Sequence, residues 1–140
     1  MESFKFSTLE YRRPDCEARR AKLAEWKSAA EHAESYDALR ALLLEIDRAS
    51  CELSTQYSIA HIRHTLDTRD EFYEAEIRYL QDTLPTLSGA EIALSEAIAS
   101  SPFRPEIERE FGRQFFAGMD LQKKMYCEAN IPLRQQESRL

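Results

Sequence analysis

The chain has little of what turns, disulfide frameworks and membrane spans require. Three glycines and five prolines in 140 residues supply little turn material, which favours a few long helices over many short strands. Cys16, Cys51 and Cys127 are widely spaced without a CxxC pair, so they indicate neither a disulfide framework nor a zinc knuckle. No apolar run approaches a membrane span, and the first residues lack the apolar stretch of a signal peptide. We therefore predict a cytoplasmic protein without a membrane partner.

Basic residues are too few for a general nucleic-acid binder. The formal net charge is -6, from 19 basic and 25 acidic residues, whereas neutralising phosphate groups needs a cationic surface. A local basic patch runs from Arg12 to Lys22, but Asp15 and Glu17 offset it and no glycine-rich loop accompanies it. We interpret the patch as a solvated helix face in preference to a phosphate site, and we predict no nucleic-acid partner.

Apolar residues recur at helical spacing through most of the chain. With 43% hydrophobic and 31% charged residues, the composition is that of a soluble globular domain. One apolar series runs from Leu39 to His64 and another from Tyr73 to Ile98, both in steps of four and three residues, which is the spacing of a helix-bundle seam. The sequence predicts an all-α fold, with a long antiparallel helical hairpin that turns at residues 65–69 within a bundle of about four helices.

The pattern divides the chain into three segments. Residues 1–13 are aromatic-rich and are predicted to form an extended amino-terminal arm that lies on the body. Residues 14–127 are predicted to form the helical bundle domain. Residues 128–140 have no packing pattern, so we interpret them as a tail or as the start of a missing remainder. The first helix is expected from Pro14 to about Ala33.

Capping residues, prolines and glycines locate the other helix boundaries. Ser35 is expected to cap a second helix of some 30 residues. Pro85 is expected to kink the third helix, and Pro105 to begin the fourth. Gly112 and Gly118 lie within the fourth helix and suggest close approach of another element. Pro132 is expected to block further helix.

Ionisable side chains gather where the second predicted helix meets the third. The stretch 60–76 reads AHIRHTLDTRDEFYEAE, and polar groups between core positions must be paired or must face a cavity. We predict either a buried hydrogen-bonded network that fixes the bend or the polar lining of a cleft, and one arrangement can serve as both. Asp67 or Thr68 is expected to cap the third helix, and Arg63 to pair with a carboxylate. The candidate residues are Arg63, His64, Asp67, Asp70 and Tyr73.

A metal site is the weaker alternative for the same stretch. His61 and His64 are three residues apart, and Asp67 or Glu71 could complete a ligand set. There is, however, no HExxH motif and no repeated Glu-x-x-His pair of the kind that di-iron bundles use. A cysteine nucleophile paired with histidine has no local motif either. We predict no metal ligand and no catalytic residue in this chain.

Several segments, in this order and spacing, resemble a known family from about residue 4 to about residue 126. The segments are Tyr11–Asp15 (YRRPD), Ile62–Thr68 (IRHTLDT), Asp70–Glu76 (DEFYEAE), Ser101–Arg104 (SPFR) and Phe111–Gly112 (FG). Together they resemble the amino-terminal region of oligoendopeptidase F, a zinc metallopeptidase family related to thimet oligopeptidase.

The resemblance implies a mostly helical enzyme with its active site in a deep channel that admits short peptides and excludes folded proteins. In such enzymes HExxH and a later glutamate hold zinc, and the glutamate of the motif activates water. None of these ligands occurs here. We therefore expect a channel wall or lid that is inactive alone and has no cofactor of its own. Zinc and short peptides are expected in the full-length enzyme, with the remainder of the peptidase as the partner.

A stand-alone helical module is the alternative function. In that case the apolar seams at residues 39–64 and 73–98 would bind a partner helix or a second copy of the chain. A contiguous exposed apolar surface favours self-association, so a homo-oligomer is expected if these faces are uncovered.

Overall fold

The computed structural model describes residues 9–69 and 71–137, with side chains through Met125. Within these ranges every regular element is a helix, which confirms the predicted all-α class. The amino-terminal part of the predicted arm, residues 1–8, lies outside the described residues, as does Asp70.

The first helix, α1, spans Cys16–Glu31. Its N-cap is Asp15, whose side chain accepts a hydrogen bond from the backbone N–H of Ala18 at 3.0 Å. The carboxylate thereby satisfies one of the backbone donors that a helix start leaves unpaired. The helix begins just after the predicted Pro14 and ends just before the predicted Ala33, within the usual uncertainty of helix boundaries.

The second helix, α2, spans Tyr36–Leu66 and has 31 residues. Ser35 caps it by accepting a hydrogen bond from the N–H of Ala38 at 3.2 Å, so both the predicted cap and the predicted length of α2 are confirmed. The following helix packs on α2 after a short bend. This pair is the antiparallel hairpin that the two apolar seams predict.

The predicted third helix is divided at Pro85. Helix α3 spans Glu71–Thr83, a 3-10 turn spans Leu84–Leu87, and α4 spans Ser88–Ala99. Proline lacks the backbone donor that an α-helix needs at this position and restricts the residue before it. Helix α3 packs on α2, whereas α4 packs mainly on α1. At the expected kink the chain changes its packing partner from α2 to α1. The second helix of the hairpin is therefore α3 alone, which is shorter than the apolar seam suggests.

The predicted fourth helix is also divided. Helix α5 spans Arg104–Phe111 and α6 spans Gln114–Glu137. Gly112 lies between them with φ 88° and ψ 163°, a conformation that is essentially restricted to glycine. Helix α6 continues through Pro132, so the prediction that this proline blocks further helix is wrong. Proline removes one backbone hydrogen bond, which bends a helix without necessarily ending it.

The main core lies between α1, α4 and the buried sides of α2, α5 and α6. Helix α3 contributes to a separate contact, in which Ile77 and Leu80 are buried on the hairpin side. The buried residues of the main core are Cys16, Leu23, Trp26, Ala30, Leu39, Leu42, Leu43, Leu87, Leu94, Ile98, Ile107 and Phe116.

A polar contact joins α5 to the start of α2. The carboxylate of Glu110 accepts hydrogen bonds from the hydroxyl of Tyr36 and from Nε of Arg40. The hydrogen bond to Glu110 raises the pKa of Tyr36 to about 12. The same two donors, that of Tyr36 first, lower the pKa of Glu110. This contact holds α5 beside the helical hairpin.

The two glycines of the divided fourth helix are predicted to respond oppositely to alanine. Gly112→Ala forces a side chain into a glycine conformation and should lower the free energy of unfolding by about 2 kcal/mol. Gly118→Ala should raise it by up to about 1 kcal/mol, because Gly118 lies inside α6 and an added Cβ there meets no described atom within 4 Å. Chemical denaturation of both variants measures the difference, and equal effects would contradict the local geometry.

Candidate functional site

The segment before α1 crosses the bend end of the hairpin and is bonded to both of its helices. The carbonyl of Leu9 accepts a hydrogen bond from Nη2 of Arg63 on α2. The backbone N–H of Arg12 donates to Oε1 of Gln56, also on α2, at 2.8 Å. Arg13 contacts α3. The described part of the arm, residues 9–13, is thus held by the hairpin at three places.

The strongest of these attachments is a bidentate pair between Arg13 and Glu76. Nε of Arg13 lies 3.0 and 3.1 Å from the two carboxylate oxygens of Glu76, and Nη2 lies 2.5 Å from Oε2. The guanidinium also stacks 4.2 Å from the ring centre of Tyr79. The side chain of Glu76 is 4% exposed. The hydrogen bonds from Arg13 lower the pKa of this carboxyl, against the opposing effect of burial.

Aromatic rings pack around this pair. The ring of Tyr11 lies edge-on to Phe72 at 6.3 Å and to Tyr73 at 5.8 Å, and Phe72 lies 5.0 Å from Tyr73. Edge-to-face arrangements of this kind are favourable. The hydroxyl of Tyr11 is buried, and burial together with the charge of Glu76 raises its pKa. The hydroxyl therefore stays protonated beside the carboxylate at neutral pH.

Arg63 does not have the partner that the sequence predicts. Its Nη1 donates to the hydroxyl of Tyr73 at 2.9 Å, and its Nη2 donates to the carbonyl of Leu9. The prediction of a carboxylate pair is wrong for this residue because Glu76, the buried carboxylate in this region, is bonded to Arg13 instead. Arg63 and Tyr73 are nevertheless brought together, as predicted.

The other predicted site residues occupy different environments. His64 is half-buried, and its Nδ1 is buried without a hydrogen-bond partner among the described residues. Asp67 is exposed and is the C-cap of α2, and its Oδ1 accepts from the N–H of Arg69 at 3.0 Å. The expectation that Asp67 caps α3 is therefore wrong. Asp70, the remaining candidate, lies outside the described residues.

The basic patch is not a simple solvated face. Arg19 points inward with 14% of its side chain exposed, and it lies 3.4 Å from the hydroxyl of Ser50 and 3.9 Å from the carboxylate of Glu91. Burial raises the pKa of Glu91, and the nearby guanidinium partly offsets that effect. Lys22 lies 4.0 Å from Glu45 on α2. These cations connect α1 to its neighbours, so the interpretation of the patch as a solvated surface is wrong for Arg19.

The weaker metal alternative gains no structural support. The ring of His61 is exposed and packs edge-on against Tyr57 at 5.7 Å. Within the part of the chain that the structure describes, no three His, Cys, Asp or Glu side chains are grouped as metal ligands. None of the described helices is both long enough and apolar enough to cross a membrane.

Arg63→Ala is predicted to lower the free energy of unfolding by about 1 kcal/mol, the net contribution of ordinary hydrogen bonds. Loss of a carboxylate pair would cost more, about 2 kcal/mol, because it would leave a buried carboxylate without its partner. Tyr73→Phe removes one of the same hydrogen bonds and keeps the ring, so its effect should be smaller. Urea unfolding of both variants measures this order, and a larger effect of Tyr73→Phe would contradict the observed contacts.

Arg13 and Glu76 are the residues of this site that sequence analysis missed. A signal existed, because Glu76 follows Tyr73 by three residues and therefore shares a helix face with a core position. A carboxylate on such a face needs a cation. The arrangement contains no nucleophile placed beside a base. The contacts hold the amino-terminal arm, α2 and α3 in one relative position.

The known proteins that match this chain are peptidases. A family model described as Peptidase M3 N-terminal domain matches residues 6–126. A crystal structure assigned as oligoendopeptidase F shares 35% sequence identity and a TM-score of 0.80, and the match covers 86% of this chain and 21% of that chain. A structure of PZ peptidase A with an inhibitor shares 32% identity and a TM-score of 0.79, and covers 84% and 21%. The search of curated proteins found no match. The chain therefore spans about a fifth of the length of these structures.

Proposed function

Because the chain belongs to the Peptidase M3 N-terminal domain family, we propose that it serves as the amino-terminal helical portion of a zinc-dependent oligoendopeptidase that cleaves short peptides. The observation that carries this proposal is the family match over residues 6–126. The two related peptidase structures support it, because their likeness extends over more than four-fifths of this chain. In this proposal the chain supplies no catalytic residue and is inactive alone, since it contains no HExxH motif.

The proposed role of the chain is to form a wall or lid of the peptide channel. The remainder of the peptidase would hold the zinc ion, which polarises the peptide carbonyl and activates water when bound. The bend end of the hairpin would face peptide, with Arg63, His64, Asp67, Asp70 and Tyr73 as its polar residues. The bonds from the arm to both hairpin helices support this role, because they hold the bend in one position. We propose a cytoplasmic location for the enzyme.

The test is to join the full 140-residue chain to the part of an oligoendopeptidase F that follows its matched region. We expect this fusion to cleave a short fluorogenic peptide in a zinc-dependent way, while the 140-residue chain alone does not, with or without zinc. Peptide cleavage by the isolated chain, or a folded fusion that cleaves nothing, would contradict the proposal. A matched control fusion carries the related enzyme's own amino-terminal region, which shows that the remainder is competent.

A stand-alone interaction module is the second candidate. The observation in its favour is a pair of large apolar side chains one turn apart on the surface of α2, Ile62 at 41% and Leu66 at 79% exposure. If neighbouring apolar side chains join them in one contiguous exposed surface, that surface would favour contact with another protein. Light scattering of the purified chain over a range of concentrations tests it. A monomer at all concentrations would leave self-association without support.

A further inference from the structure

Helix α6 packs on the body through one of its faces. Phe116 is 3% exposed and belongs to the main core, and Met119 packs against that core. One turn further along, Nζ of Lys123 lies 2.6 Å from Oε1 of Glu96 on α4. These residues follow one another at spacings of three and four, so they share a side of the helix. Between Phe116 and Lys123 the inward face of α6 is thus in contact with α4 and the core.

The opposite face of α6 carries an apolar row that no described part of the chain covers. Gly118, Leu121 and Met125 also follow at spacings of three and four, which places them together on one side. Leu121 is 59% exposed and Met125 is 61% exposed. A Cβ added at Gly118 would meet no atom of the described chain within 4 Å. We refer to these three residues as the outer face of α6.

No contact in the described part of the chain explains why residue 118 is a glycine. Its backbone is helical, and among the described glycines only Gly112 has a positive φ. Glycine inside a helix is less favourable than alanine at the same place. The usual benefit of a missing side chain is that another backbone can approach closely. A glycine beside two exposed apolar side chains therefore points to an element that packs on the outer face.

We propose that the outer face of α6 is the docking surface for an apolar helix from the part of the peptidase chain that follows Leu140. This inference rests on the proposed function. The family match ends at residue 126, within α6, and about four-fifths of each related chain lies outside its match. Consecutive helices are usually neighbours in space. A helix is the fitting occupant because the backbone groups of α6 are already bonded within the helix, which leaves side-chain packing as the mode of contact.

The double variant Leu121→Gln/Met125→Gln tests the apolar contact. Glutamine has about the same helix propensity as these residues, so the isolated 140-residue chain should keep its melting temperature to within about 1 °C. In the fusion with the oligoendopeptidase F remainder, the midpoint of thermal unfolding should fall by about 5 °C. Leu44→Gln is the matched control, because Leu44 is an exposed leucine in the middle of α2, and it should change neither protein.

Gly118→Leu tests the close approach with a reversal of sign. The isolated chain has open space at this position, and leucine favours the helix, so its melting temperature should stay unchanged or rise. In the fusion the added side chain would meet the docked helix, and the melting temperature should fall. A simple loss of helix stability cannot produce opposite signs in the two proteins.

Three results would overturn the inference. The first is a fusion that cleaves peptide while both the double variant and Gly118→Leu melt like the unsubstituted fusion. This result removes the docking surface and leaves the proposed function intact. The second is a dimer of the isolated chain that the double variant abolishes, since a second copy would then cover the outer face. The third is a wild-type fusion that does not fold although the control fusion does, which removes both proposals. A fusion that folds, shows the expected shifts and cleaves nothing supports docking and contradicts the proposed function.

Discussion

Replacing Arg13 with alanine is expected to lower the melting temperature by about 10 °C at neutral pH, because it leaves the carboxylate of Glu76 buried without its cation. Among the described residues, Glu76 is the one acidic or basic side chain that is buried. Arg13 donates three hydrogen bonds to its carboxylate. A buried carboxylate that loses such a partner costs far more than a surface ion pair contributes. Differential scanning calorimetry measures the shift.

The effect of Arg13→Ala should depend on pH in a defined direction. In the wild-type protein the pKa of Glu76 is lowered below its ordinary value of 4.5. Its contribution to stability is therefore fully present above that value and is lost as the pH falls through the lower, folded-state pKa. In the variant, burial without a cation raises the pKa of Glu76. The carboxylate is therefore protonated at a higher pH, which removes the cost of burying its charge. The difference in melting temperature should shrink as the pH is lowered from 7 towards 4.

Arg12→Ala is the matched control for this prediction. Arg12 is adjacent in sequence, its side chain is 76% exposed, and its ion pair with Glu10 is also on the surface. Its contact with α2 uses the backbone N–H, which alanine keeps. The melting temperature should change by about 1 °C or less. Equal losses for the two arginines, or an effect of Arg13→Ala that is as large at pH 4 as at pH 7, would show that Glu76 does not depend on Arg13.

Features that are local in sequence were predictable. Ser35 caps α2 through a donor three residues away, and the apolar seam that begins at Leu39 correctly indicates a helix of about 30 residues. The bend after Leu66 and the all-α class follow from the same pattern. Capping and amphipathic periodicity depend on residues within one or two helical turns, so a single sequence contains the information that they need.

The two divided helices were not predicted, although their signals were noticed. The apolar series continues through Pro85 and through Gly112, so periodicity alone cannot distinguish a bend from a break. What decides between them is the packing partner, because α3 lies on α2 while α4 lies on α1. The choice of partner depends on the whole bundle. The glycine conformation at Gly112 is likewise visible only once the direction of α6 is known.

The contacts at the bend were predicted only in part. The bend does bring Arg63 to Tyr73, yet the charged pair of the region joins Arg13 to Glu76, which are 63 residues apart. Composition shows that cations and carboxylates are present, but the path of the arm decides which cation reaches which carboxylate. The role of Asp67 at the end of α2 is a similar case, since a capping residue between two helices can serve either one.

Leu87→Ala is expected to lower the free energy of unfolding by about 3 kcal/mol. Leu87 ends the 3-10 turn that separates α3 from α4, and its side chain is 0% exposed within the main core. Truncation removes the transfer free energy of the deleted atoms and leaves a cavity that the three surrounding helices can fill only in part. The loss of stability should exceed that for a surface leucine in the middle of a helix, because the side chain of Leu87 is fully buried at the turn between α3 and α4. Urea denaturation of the wild type and of Leu87→Ala, analysed with one common m value, measures this loss of free energy.

Leu44→Ala provides the comparison, because Leu44 is 40% exposed on α2 and lies outside the core cluster. Its loss should be about 0.5 kcal/mol or less. If the third helix were continuous, as the apolar seam suggests, Leu87 would lie on the hairpin side, and its truncation would loosen α3 from α2. The observed break assigns Leu87 to the core that includes α1 and α4. Hydrogen exchange can separate these cases, since the variant should lose protection in α1 and α4 before it loses protection in α3.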